Sequence, residues 1–95
     1  MYHSTTRQIQ IYCMLNSVQF EIMDNIHPHK FDNMKSDRVD IVWLFENGTQ
    51  VCRFVLDHTN REFRLSVWEY TGHTDNIITL LQDSRFIGSE YNYTN

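Results

Sequence analysis

The residues with the clearest chemical potential are His27 and His29, which flank the chain's only proline, Pro28, in the stretch NIHPHKF at 25–31. Imidazoles at i and i+2 can chelate a metal ion when they lie on a regular strand, because side chains two apart then point the same way. Proline removes that condition. It fixes its own φ near about −65° and drives His27 into extended or polyproline backbone, where about three residues make a turn and neighbours two apart diverge. A third ligand would have to come from Asp24, Asp32, His58 or His73, none of them at a recognised zinc spacing. His27, His29 and Asp32 are therefore weak metal candidates, and no metal or cofactor is expected. The plainer reading is a solvated loop with one imidazole against Phe31.

Cys13 and Cys52 are the next candidates. A reactive thiol needs partial exposure and a positive neighbour or a base within reach. Both cysteines fall on the inward face of expected strands, where they behave as small hydrophobes, and two cysteines are too few for a disulfide scaffold. Whether they meet in space is not legible. Ser17 has no nucleophile-elbow context, and no glycine-rich loop is present to cradle a phosphate. The acidic pairs Asp37 with Asp40 and Asp24 with Asp32 lie where solvation explains them, so no catalytic residues are expected.

These side chains hang on a strand-dense frame. Residues 8–23, QIQIYCMLNSVQFEIM, read either as a helix or as a hairpin. On a helical wheel the apolar residues spread around the whole circumference, whereas an Asn16-Ser17 turn would set Leu15, Cys13 and Ile11 opposite Val18, Phe20 and Ile22 on one face. The hairpin is therefore expected. Residues 24–37 form a long polar connection. Asn47-Gly48, between two β-branched and aromatic runs, is a strong hairpin signature because a type I′ turn needs φ > 0 at both central residues. Its register would set Trp43 opposite Cys52 and Ile41 opposite Phe54. A second turn at 57–60 would set Phe63 opposite Phe54 and complete a three-stranded meander.

One face of that meander would collect Val39, Ile41, Trp43, Phe45, Cys52, Phe54, Leu56, Phe63, Leu65 and Val67. The other would hold Val42, Leu44, Val51, Val55 and Trp68 beside Arg53, Glu62 and Arg64. Being apolar on both sides, the sheet needs cover on both. Near the end a helix is expected, with Thr74 capping it, Ile77, Ile78, Leu80 and Leu81 on its apolar side, and Gly88 beyond it. The expected fold is α+β: a mostly antiparallel sheet, built of an amino-terminal hairpin and the meander, with one carboxy-terminal helix packed on it. Residues 1–95 should make one compact domain with a loose tail from about 89 to 95.

Composition narrows the function. Eight Lys+Arg against 12 Asp+Glu give a net charge of −4, and the basic residues are scattered, which argues against direct nucleic-acid binding. No apolar run approaches a membrane span, and the opening MYHSTTRQ lacks the charged-then-apolar pattern of a signal peptide, so a cytoplasmic location is expected. Hydrophobic residues at 41% suffice for a core. By elimination the chain reads as a small acidic protein-binding module, acting stoichiometrically as an inhibitor, immunity-type protein or adaptor, of the size that phages and mobile elements encode. Its partner would be another protein with a basic surface. Candidate contact residues are His27, His29, Phe31, Asp32 and Asp37 in the long loop, and the aromatics Trp68, Tyr70, Tyr91 and Tyr93. The alternatives are a homo-oligomeric structural subunit, with a homodimer as its simplest form, and a small metal-dependent or hydrolytic enzyme built on His27 and His29.

Overall fold

The computed structural model describes residues 4–26 and 39–93. Helix α1 (Thr5–Leu15) leads into β1 (Gln19–Ile26); β2 (Val39–Glu46), β3 (Thr49–Asp57) and β4 (Glu62–Val67) follow, then α2 (Gly72–Asp83) and β5 (Ile87–Tyr93). The fold is α+β, with a five-stranded mixed sheet in the order β1-β2-β3-β4-β5. Its first three strand pairs are antiparallel and β5 runs parallel to β4, with α2 as the crossover between them.

The expected amino-terminal hairpin is replaced by α1 and β1. The spread of apolar residues around the wheel does not exclude a helix, because not all of them are buried. The helix buries only a narrow stripe of Thr5, Thr6, Ile9 and Cys13, while Met14 and Leu15 stay 65% and 80% exposed. Ser4 caps the start by accepting the Arg7 N–H at 3.2 Å. The supposed turn at Asn16-Ser17 is the helix C-cap. Ser17 takes φ 55°, its N–H reaches the Met14 carbonyl at 3.5 Å, and the Val18 N–H reaches the Cys13 carbonyl at 2.9 Å. That pair of bonds is a Schellman motif, with serine at the position glycine usually holds.

Helix α2 ends in the same way. Arg85 takes φ 68°, with its N–H on the Gln82 carbonyl and the Phe86 N–H on the Leu81 carbonyl, both at 2.9 Å. Its start lies one turn earlier than expected, at the N-cap Thr71. Thr74 is instead a fully buried residue of the first turn, whose hydroxyl accepts the Thr71 N–H at 3.5 Å. Residues 87–93, expected to be a helix exit and polar tail, form β5.

The Asn47-Gly48 turn is confirmed, with φ 53° and 78°. Glu46 pairs with Thr49 and Phe45 with Gln50, but the next pair is Leu44 with Cys52, so Val51 is a surplus residue in β3. A one-residue slip exchanges faces. Beyond the bulge Trp43 faces Arg53, Val42 faces Phe54 and Ile41 faces Val55. The expected face assignment of β2 is thus reversed: Val42 and Leu44 join the main core, while Val39, Ile41 and Trp43 lie on the opposite side. Between β3 and β4 the pairing is offset by two residues from expectation, with Leu65 opposite Phe54 and Phe63 opposite Leu56, which preserves the faces.

Both helices cover the same side of the sheet. The core there joins Ile9 and Cys13 of α1, Ile77 and Leu81 of α2, and Phe86 to the inward residues of β2, β3 and β4. Phe54 and Phe63 sit at its centre, fully buried, with ring centroids 6.2 Å apart. Burying each such side chain is worth about 1.5–3 kcal/mol. On the opposite face, open in that no helix among the described residues covers it, Val39, Ile41 and Val55 form a smaller buried cluster against which Trp43 packs.

Candidate functional site

The aromatics Trp68, Tyr70, Tyr91 and Tyr93 gather around the ends of β4 and β5, all of them exposed (38–56%). The sheet divides them. Tyr91 and Tyr93 register with Leu65 and Val67, so they lie on the helix side, where Tyr91 packs on Phe63 at 5.7 Å and Tyr93 on Tyr70 at 6.1 Å. Trp68 has the opposite parity from buried Val67 and meets the open face, where the Arg53 guanidinium lies 5.9 Å from its ring centroid. The β3 bulge helps to position it. The surplus Val51 presents its carbonyl to two donors, the N–H groups of Trp68 at 2.9 Å and Glu69 at 3.0 Å. The loop candidates His27, His29, Phe31, Asp32 and Asp37 lie outside the described residues.

Strand pairings line up rows across the open face. One runs Glu21, Trp43, Arg53, Ser66, Asn92; the next runs Met23, Ile41, Val55, Arg64, Glu90. The β1–β2 half is therefore mainly apolar and the β4–β5 half polar. Arg53 donates to Ser66 at 3.3 Å, and Arg64 approaches Glu90 at 3.8 Å. Burial also lowers the pKa of Arg53. Parity along β3 and β4 sets Arg53 beside Trp68, and the ring contact adds it to the candidate contact residues. On the helix side the Tyr70 hydroxyl donates to Asp75 in the first turn of α2, which raises the phenol pKa to about 12.

Two polar clusters went unforeseen because their members are far apart in sequence. In the first, the Thr6 hydroxyl donates to Asp40 Oδ2 at 2.6 Å, and His58 Nε2 lies 2.8 Å from the same oxygen and 2.9 Å from Thr6 Oγ1. A nucleophilic triad uses two different ring nitrogens, one held by the carboxylate and the other facing the hydroxyl. Here a single nitrogen faces both, and the hydroxyl proton is committed to the carboxylate. The arrangement instead ties the start of α1 to β2 and to the β3–β4 turn. Beside it an open cleft of about 580 Å³ is lined by residues that include Thr6, Arg7, Gln10, Asp24 and Asp40.

The second cluster joins the helices. Asn76 donates to the Tyr12 hydroxyl oxygen at 2.8 Å, and His73 Nδ1 lies 2.6 Å from the same oxygen. Among the described residues no group of three His, Cys, Asp or Glu side chains is arranged to hold a metal ion.

Cys13 and Cys52 are free thiols in the same core. Burial, with the charge of Cys52 adding to it, pushes the Cys13 thiol up to about 12. Burial pushes Cys52 up to about 11, partly offset by the Thr74 hydroxyl and the Leu44 backbone. Both are protonated, and so poor nucleophiles, at neutral pH.

Compared with protein-family models, with curated proteins and with solved structures, the chain matches none. No helix among the described residues is long and apolar enough to cross a membrane.

Proposed function

We propose that this protein is a stoichiometric protein-binding module, of the inhibitor, immunity or adaptor kind, and that it docks its partner on the Trp68 end of the sheet. The carrying observation is Trp68 itself, 39% exposed yet held by Arg53 against its ring and by its own N–H on Val51. An exposed aromatic that is already ordered loses little conformational freedom on binding, which is why Trp, Tyr and Arg dominate interface hot spots. Glu69, beside Trp68 in the chain, and the net charge of −4 favour a basic partner surface.

The test is quantitative capture from a host or target-cell lysate by the full chain and by Trp68→Ala. A one-to-one partner is expected, bound at least about tenfold more weakly by Trp68→Ala, with the melting temperature of the variant nearly unchanged. Recovery of the same partner equally well by both proteins would reject this surface. Recovery of none would reject the binding reading.

A further inference from the structure

We propose that β5 pairs antiparallel with β5 of a second copy of this chain, about a two-fold axis perpendicular to the sheet that passes midway between the two copies of Tyr91. Strand β5 is an edge: among the described residues it has β4 on one side and no strand on the other. Six of its seven residues are exposed, Gly88 being half-buried. It carries neither Lys nor Pro, the residues that commonly guard an edge against pairing.

The sequence of β5 selects the register. A two-fold perpendicular to the sheet keeps each face continuous, so only residues of equal parity can oppose one another. Centring on Glu90 would set two carboxylates directly opposite, which is unfavourable. Centring on Ser89 would put the axis on an irregularity, since the β4–β5 register shifts there and the Ser89 hydroxyl turns to the Phe63 carbonyl at 3.2 Å.

Centring on Tyr91 uses the regular stretch. Tyr91 then meets its own copy, and Glu90 meets Asn92 of the other copy twice over. Each carboxylate thus faces a carboxamide donor. The open-face row becomes Arg64, Glu90, then Asn92 and Ser66 of the second copy, with no like charges adjacent. The pairing is independent of the foreign partner proposed above. It leaves Trp68 on the open face of each copy, and because the axis keeps faces together, both Trp68 surfaces look the same way.

Sedimentation of the full chain across the micromolar range should show a monomer–dimer equilibrium. Asn92→Asp sets carboxylate against carboxylate and should weaken the dimer about tenfold, whereas Asn92→Lys gives Glu90 a cation and should tighten it by a similar factor. Asn92 is exposed, and circular dichroism melts of both variants should match the parent. The register is read by oxidation. Tyr91→Cys places two thiols at the axis, within the range a disulfide spans, and should yield covalent dimer faster than Glu90→Cys; the buried native thiols do not compete. A monomer at every concentration, equal association of the two Asn92 variants, or faster linkage by Glu90→Cys would each overturn the proposal.

Discussion

Phe54 and Tyr93 are both aromatic residues of the same sheet, yet one is fully buried and the other is 56% exposed. Phe54 touches the sealed interior between sheet and helices, where every neighbour is part of the fold. Tyr93 packs on Tyr70 at the rim of the sheet. Aromatic content is therefore no guide to role until burial is known: in the core it holds the structure, and at the edge it is surface to be covered. The difference should appear first in stability. Phe54→Ala leaves a cavity at the centre of the core and should cost about 3–5 kcal/mol in urea unfolding, whereas Tyr93→Ala should stay within about 0.5 kcal/mol of the parent.

The thiols sharpen the same contrast, because they report the interior directly. Each has a folded-state pKa above its unfolded value of 9.0. The folded protein therefore holds protons that the unfolded chain releases, and the stability contributed is complete below about pH 9. It should be lost as pH rises through about 11 for Cys52 and about 12 for Cys13. Denaturant midpoints measured from pH 8 upward should fall, and less so in the Cys13→Ala, Cys52→Ala double variant. A thiol-specific reagent at neutral pH should label neither cysteine until the protein unfolds.

Smaller effects belong to the edge and the helix ends. A Cβ at Gly88 would come within 3.0 Å of the Tyr91 ring, whose far end can swing away. Gly88→Ala should therefore shift Tyr91 off Phe63, seen as chemical-shift changes confined to β5 and Phe63, at a cost below about 1 kcal/mol. Smallest of all, Ser17 and Arg85 hold left-handed backbone that glycine adopts without strain. Ser17→Gly and Arg85→Gly should each raise stability by about 0.5 kcal/mol, detectable as a higher melting temperature, with neither face of the sheet altered.

The Asn47-Gly48 turn, the strands around it and the last helix were legible because their signals are local: positive-φ residues at a tight turn, period-two alternation, and an apolar side at helical spacing. What was missed has a common cause. Helix α1 leaves apolar Met14 and Leu15 in water and has two threonines in its buried stripe, so hydrophobic periodicity understated it. Ser17 and Arg85 occupy positions where glycine would have announced a helix end. Strand β5, IGSEYNY, has no buried residue to impose alternation; it is held by the parallel register with β4, which α2 makes possible and no short window reveals. The gathering of Tyr70 with Tyr93 followed from that strand, whereas the neighbourhood of Trp68 and Arg53 was already implied by their shared parity. The Thr6, Asp40 and His58 cluster spans 52 residues and left no local trace.

A strand alternates with a wavelength of two residues, so one surplus residue is a half-wavelength delay. Asn47-Gly48 sets the phase at the turn, and the delay lets β2 and β3 arrive with Val42, Leu44, Cys52 and Phe54 in step on the helix side. The carbonyl released by that delay is the one that receives Trp68 and Glu69. Deleting Val51 would thus do more than shorten a strand. It would invert the sheet's two sides relative to the turn and cut the tether of the tryptophan in the same step, so core and surface share one clock.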